Sequence, residues 1–210
     1  MKIAVIGAAG RTGRQVVGEA LARGHGVIAV VRAPEKLGLA HDGLAVARAD
    51  VTDRGALAEA VQGADALISA LGTGSSRDAT TVYSSGVANE LDAMRAHGIA
   101  RLVVISAAPV GPRAEQARFE RRLAMPLLER FFGGIYADMR RMEAILADSD
   151  CSWVSLRPPR LVDRPARGAY RIDTKPLRRA RTLTYADLAA ALLDCLDREE
   201  LARRAAYVAN

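Results

Sequence analysis

The sequence predicts an α/β fold in which one doubly wound parallel sheet carries helices on both faces. Three observations predict it. Short β-branched runs alternate with Ala-rich stretches of helical spacing over most of the chain. The β-branched runs are almost continuously apolar, as strands buried on both faces must be. A glycine triplet stands between the first such run and the first helical stretch.

Element by element, strands are expected at Lys2–Ile6, Gly26–Val31, Leu44–Arg48, Ala66–Ser69, Arg101–Ser106 and Ser152–Leu156. Helices are expected at Thr12–Ala22, Asp53–Val61 and Thr80–His97, with a long one ending near Ala147. Gly24 and Gly98 follow two of these helices and suit left-handed caps. After Leu156 the rhythm changes. Arg157-Pro158-Pro159 breaks regular structure, and Ala169–Ile172 and Thr182–Leu183 read as short strands around a polar turn. Thr184 then caps a helix ending near Arg198, with Asp187 in the capping-box position, and Ala205–Val208 closes the chain as a strand. The 210 residues fit one domain spanning 1–210, in which 157–210 supplies substrate-side elements.

Composition narrows the function classes. Half the residues are hydrophobic and 26% are charged, the range of a folded globule. No apolar run is long enough to cross a membrane, and the opening strand is too short for a signal-peptide core. A cytoplasmic protein is expected. Cys151 and Cys195 have no metal-type spacing and read as small buried hydrophobes. His25, His41 and His97 also lack ligand spacing, so no metal site is expected. The net charge is +6 and the pI near 9.8. The runs Arg121-Arg122, Arg178-Arg179 and Arg203-Arg204 are short, scattered and without an aromatic face, so nucleic acid is not indicated. A phosphate-bearing small molecule explains local positive charge more economically.

The chemistry starts at Gly7-Ala8-Ala9-Gly10-Arg11-Thr12-Gly13. Gly7 permits a tight turn, Gly10 lets backbone approach a pyrophosphate, and Gly13 lets the helix pack closely on the sheet. The helix start, at Arg11 and Thr12, then offers N–H groups and a positive dipole end. This is the dinucleotide fingerprint of a Rossmann-like fold. An acid that would hold an NAD ribose is missing at the end of the second strand, where Arg32 stands. Arg32, joined by Lys36 and Arg11, favours NADP(H) over NAD(H). Asp50-Val51 ends the third strand where an adenine would lie, although Asp50 equally suits the start of a turn toward Asp53. Leu71-Gly72-Thr73 follows the fourth strand, with Gly72 allowing close passage of the cofactor.

These motifs, with Ile105-Ser106-Ala107 and Arg157-Pro158-Pro159, resemble the atypical short-chain dehydrogenase/reductases. The branch is the one holding flavin reductases of the biliverdin-IXβ reductase kind and NmrA-like proteins. The resemblance covers nearly the whole chain, including Gly168-Ala169-Tyr170 and Tyr185-Ala186-Asp187-Leu188-Ala189. It implies NADPH binding and hydride transfer to a flavin, quinone or related conjugated acceptor, by a monomer or homodimer. Two positions depart from the pattern. Arg160 stands where the flavin reductases carry His after the paired prolines, and Arg140 replaces Lys in Tyr-x-x-x-Lys.

Ser106, at the end of the fifth strand, suits orientation and polarisation of a substrate carbonyl or ring nitrogen. Tyr136 and Arg140 share a helix face, where the guanidinium is expected to lower the phenol pKa. Glu143 follows on that face as a partner for Arg140. Pro158 is expected to shape a loop against the nicotinamide. The acceptor is expected over it, beneath Ala107, Pro109 and the region around Phe132, with Arg160 matching an anionic group. The alternatives are a non-catalytic NADP-sensing regulator and an epimerase or dehydratase using bound cofactor.

Overall fold

Eight strands form one sheet in the computed structural model, which describes residues 1–74, 76, 78–112 and 125–210. The Arg121-Arg122 run lies outside the described residues. In chain order the elements begin with β1 (Lys2–Ile6), α1 (Arg11–Ala22), β2 (Gly26–Val31), β3 (Leu44–Arg48) and α2 (Arg54–Ala60). Next come β4 (Ala66–Ser69), α3 (Val82–His97), β5 (Arg101–Ile105), α4 (Met125–Asp148) and β6 (Ser152–Arg157). The last are β7 (Arg160–Val162), β8 (Arg171–Asp173), β9 (Thr182–Thr184), α5 (Tyr185–Asp194) and β10 (Arg204–Ala209).

The sheet runs β3-β2-β1-β4-β5-β6-β10-β8, parallel throughout except for β8 against β10. The chain reverses its direction of travel between β1 and β4, which is where such a sheet opens a ligand crevice. Register sharpens this. Ile6 lies beside Val30 and Ser69, Ser69 beside Val104, and Ile105 beside Leu156. The loops after β1, β4, β5 and β6 therefore leave the sheet along one edge.

Alternation of side chains sorts the core into two layers. Ile3 and Val5 face α1 and α5, while Ala4 and Ile6 face α2, α3 and α4. Gly24 (φ +80°) and Gly98 (φ +66°) take the left-handed conformation after α1 and α3.

The region after β6 departs from expectation. β8 and β9 do not pair with each other: β8 joins β10, and β9 pairs with β7 in a separate two-stranded unit. Long-range anchors override local strand preference here. Asp187 accepts bonds from the Arg167 and Gly168 amides, both at 3.0 Å, and Asn210 Nδ2 donates to the Ala169 carbonyl at 2.7 Å. Thr184 caps α5 as expected, accepting from the Asp187 amide at 3.0 Å, but Asp187 does not close a capping box. Its carboxylate is taken by those amides and by Thr184 Oγ1, and the Thr184 amide donates to Asn210 instead. α5 ends at Asp194 rather than near Arg198, because the buried Arg101 guanidinium captures the Cys195 and Arg198 carbonyls at 3.0 and 2.7 Å. Cys195 is buried and its thiol is pushed up to about 12 by desolvation, whereas Cys151 is only half-buried. Among the described residues no helix is long and apolar enough to cross a membrane.

Candidate cofactor and acceptor site

The glycine loop is built by contact rather than by flexibility. Gly7 has φ +77°, and a Cβ there would stand 2.7 Å from the Ala70 carbonyl oxygen. The loop after β1 thus lies directly on the loop after β4. A Cβ on Gly13 would stand 2.3 Å from the Gly7 oxygen, so α1 starts hard against the end of β1. Gly10 differs from both. Its φ is −71°, open to any residue, and among the described residues a Cβ would meet only the Gly7 oxygen, at 3.2 Å. What Gly10 leaves is room in front of the helix.

That helix start is also chemically vacant. Gly10 caps α1 without a side-chain bond, and no acidic residue lies in the first turn. The backbone of Arg11, Thr12 and Gly13 offers the donors and positive dipole end that a pyrophosphate requires, and Ala9 leads into them. The residues present fit a dinucleotide.

At the end of β2, Arg32 is exposed and Lys36 follows on the surface. Arg14 was not singled out from the sequence; its guanidinium donates to the Lys36 carbonyl, joining this corner to α1. Arg11 turns elsewhere, with Nη1 3.5 Å from the Tyr185 hydroxyl and its charge 6.0 Å from that ring's centroid. Asp50 starts the turn. Its Oδ1 accepts from the Thr52 amide at 2.9 Å and the Thr52 hydroxyl at 2.7 Å. Those bonds, with the Arg32 charge, hold its carboxyl below the ordinary range. Val51 is buried, and its carbonyl accepts from Asn89 Nδ2 at 2.8 Å, another contact the sequence did not reveal. A Cβ on Gly86 of α3 would come within 2.8 Å of Leu71 and 3.0 Å of Val51, so α3 braces both positions. At Gly72 a Cβ would meet none of the described residues within 4 Å, and Thr73 bonds the Ser76 carbonyl.

Ser106 holds the end of β5. It is 2% exposed, and among the described residues its hydroxyl has no hydrogen-bond partner. A desolvated hydroxyl without a bond costs about 1–3 kcal/mol, so it marks a place where an incoming group has something to gain. The Ser106 amide donates to Leu156 at 2.7 Å, and the Ala108 amide donates to Pro158 at 2.8 Å. The loops after β5 and β6 are thereby joined beside the hydroxyl, with Pro158 buried.

α4 packs against the loop after β5. Ala107, Phe132 and Tyr136 pack on the same core layer, with the two rings 6.0 Å apart. The expected Tyr136–Arg140 partnership is not the dominant one. Arg140 pairs with Glu129 at 2.6 Å and reaches the Pro109 carbonyl at 3.4 Å. Burial and the Glu129 charge raise the Tyr136 pKa, outweighing the opposing effect of Arg140, so the phenol is held protonated and not activated as phenolate. Glu143 does not pair with Arg140 either. It binds Arg157 at 2.6 and 3.0 Å and accepts from Ser155 at 2.9 Å. Arg157 in turn lies 5.4 Å from the Tyr207 ring centroid. This network, unforeseen from sequence, fixes Arg157 immediately before the paired prolines. Arg160 is exposed at the start of β7.

His41 and His97 are engaged with the Gly43 amide and the Ala58 carbonyl. Among the described residues, no group of three His, Cys, Asp or Glu side chains gathers to hold a metal ion.

The order of strands, the crevice and the vacant helix start define a nucleotide-binding Rossmann fold. A family model described as NAD(P)H-binding matches residues 7–199, and the chain belongs to that family. This agrees with the resemblance to atypical short-chain dehydrogenase/reductases. Solved structures share the fold. A candidate epimerase from Bacteroides thetaiotaomicron is 25% identical, with a TM-score of 0.80 over 99% of this chain and 96% of that one. A candidate NADH-flavin reductase from Streptococcus pneumoniae is 22% identical, with a TM-score of 0.80 over 100% and 99%. A short-chain dehydrogenase/reductase from Veillonella parvula, in complex with NADP, is 18% identical, with a TM-score of 0.79 over 100% and 94%.

Proposed function

We propose that the protein is an NADPH-dependent reductase that passes hydride to a flavin, a quinone or a related conjugated or carbonyl acceptor. The observation that carries this reading is the buried Ser106 hydroxyl, unpartnered among the described residues, at the end of β5 beside the Ala108–Pro158 junction. When bound, the nicotinamide supplies the hydride. Ser106 orients and polarises the group that arrives at its hydroxyl. Pro158, Ala107 and Pro109 shape the pocket, and Phe132 and Tyr136 offer flat faces for a conjugated ring. Arg32 receives the ribose 2′-phosphate, with Lys36 and Arg14 beside it, while Val51, Leu71 and Thr73 line the cofactor's path.

The raised pKa keeps Tyr136 a neutral donor at physiological pH. A ketone acceptor needs that donor for the developing alkoxide; a flavin or quinone takes its proton from solvent. General-acid help contributes about 10²–10⁴-fold, so Tyr136→Phe is severe for a ketone and mild for a flavin. The test is NADPH oxidation across flavins, quinones, enones and ketones. Turnover with any of them supports the reading. Tight NADPH binding without oxidation by any acceptor favours a non-catalytic NADP-sensing regulator, the reading to which the commitment of Arg140 to Glu129 also points.

A further inference from the structure

A buried ion pair adjoins the two loops that flank Ser106. Arg157 closes β6 and Glu143 stands on α4, each with a side chain 12% exposed. The pairing is forked. Arg157 Nη2 donates to one Glu143 carboxylate oxygen at 2.6 Å, and Nε donates to the other at 3.0 Å. Ser155 Oγ donates to that second oxygen at 2.9 Å, so α4 is tied to two positions of β6. The remaining guanidinium nitrogen, Nη1, lies 3.5 Å from the hydroxyl of Tyr207, the residue beside Arg157 on β10. Arg157 thus joins β6, β10 and α4.

Burial of such a pair is a weak source of stability, because desolvation of the two charges offsets most of their attraction. What a fork provides is direction, since a planar guanidinium bonded at two nitrogens holds one orientation. The neighbouring loops show what that direction does. The loop after β5, Ala107–Gly111, ends against this hub. A Cβ on Gly111 would collide with the Tyr207 hydroxyl and stand 3.2 Å from Arg157 Nη1, so the close approach requires glycine. The loop after β6 starts from Arg157 itself, and its Pro158 carbonyl accepts from the Ala108 amide at 2.8 Å. The Ser106 amide donates to the Leu156 carbonyl, one residue before Arg157, at 2.7 Å. The segment 106–111 is therefore held at its start, its middle and its end by Arg157 and its immediate neighbours. A buried hydroxyl lowers its energy by finding a partner whenever its loop can shift. Here the loop is fixed on both sides of it.

We infer that Arg157, oriented by Glu143, is a positioning residue: it clamps the loops after β5 and β6 together and so holds the Ser106 hydroxyl ready for the incoming group. The inference rests on the reductase reading for the use of that hydroxyl and adds the device that keeps it in place.

The test removes the clamp without stranding a buried charge. The double variant Glu143→Gln, Arg157→Met replaces the pair by neutral side chains, an exchange that buried ion pairs tolerate. Tyr207→Phe removes one hydroxyl of the hub and serves if the double variant fails to fold. Hydrogen exchange followed by NMR reads the clamp. The Ala108 amide should exchange about tenfold faster in the double variant, and faster to a smaller degree in Tyr207→Phe, while the Val16 and Val17 amides of α1 keep their rates. Acceleration shared equally by α1 would show only a loss of global stability, and an unchanged Ala108 rate would show no clamp; either overturns the inference. Turnover reads what the clamp is for. With an acceptor that the protein reduces, the double variant should lower kcat about ten- to a hundredfold and leave NADPH affinity unchanged. Added to Ser106→Ala it should cost nothing further, because both changes act on one hydroxyl. Additive losses, or turnover indifferent to Ser106→Ala, would overturn the positioning role. If no acceptor oxidises NADPH, the reductase reading falls, and the exchange rates alone uphold or overturn the clamp.

Discussion

Two helices start at the same edge of the sheet, and they are finished in opposite ways. α1 begins at Gly10 with no side-chain cap and no acid in its first turn. α3 begins at Thr81, likewise without a cap of its own, but a carboxylate reaches it from α4. Asp138 is fully buried and accepts from the Tyr83 amide at 2.9 Å, the Ser84 amide at 3.4 Å and the Ser84 hydroxyl. Both helices have the same need, since their first N–H groups lack intrahelical partners. The protein meets that need internally at α3 and leaves it open at α1. The difference teaches which helix start the fold completes for itself and which keeps its donors open, as the proposed phosphate site requires.

The largest expected effect breaks the open end. Gly10→Val places a branched side chain in front of α1, where the proposed reading sets the pyrophosphate, yet φ −71° suits valine. NADPH affinity should fall beyond a hundredfold with the circular dichroism spectrum preserved; unchanged affinity would reduce the loop to a simple turn.

A second buried carboxyl sharpens the picture of α3 as the structural side. Glu90 on α3 is fully buried, accepts from the Ser69 hydroxyl at 2.7 Å, and is pushed up to about 7 by desolvation. The folded chain therefore keeps a proton that the unfolded chain loses. Stability should fall as pH rises from about 4.5 to about 7 and stay at the lower level above that, by roughly 3 kcal/mol. Glu90→Gln should flatten this slope in urea unfolding and be the more stable protein above pH 7. A wild-type profile already flat across that window would refute it.

Removing the internal cap comes next. Asp138→Ala leaves the Tyr83 and Ser84 amides without their carboxylate and should cost about 2 kcal/mol, read as a lower Tm, with NADPH affinity nearly intact. A large loss of NADPH affinity at full stability would mean that the roles of the two helix starts had been exchanged.

At the far end of the cofactor, Arg32→Ala should weaken NADPH binding about ten- to a hundredfold and leave NADH nearly unchanged. Calorimetry showing equal losses for both would remove the 2′-phosphate assignment. Smallest of all is Tyr136→Phe with a flavin acceptor, where kcat should hardly move.

The open helix start was legible in the sequence because glycine at fixed offsets reports backbone sterics directly. Gly7 and Gly13 are glycine because nothing larger fits against Ala70 and Gly7. The central strands were legible because burial on both faces forces apolar runs. The cap at α3 was not legible, since Asp138 lies more than fifty residues from the amides it serves. Residues 157–184 failed for a related reason. Their strands are three residues long and are placed by Asp187 and Asn210, not by local preference. On α4 the spacing placed Tyr136 and Arg140 on one face correctly. It did not reveal that Glu129, eleven residues before Arg140 and on that same face, would take the guanidinium.

The contrast between the two helix starts can be read atom by atom from amide NMR spectra recorded with and without NADP⁺. Addition of the cofactor should shift the Arg11, Thr12 and Gly13 amides strongly and leave those of Tyr83 and Ser84 in place. Large shifts at Tyr83 and Ser84 with α1 silent would contradict the placement of the pyrophosphate.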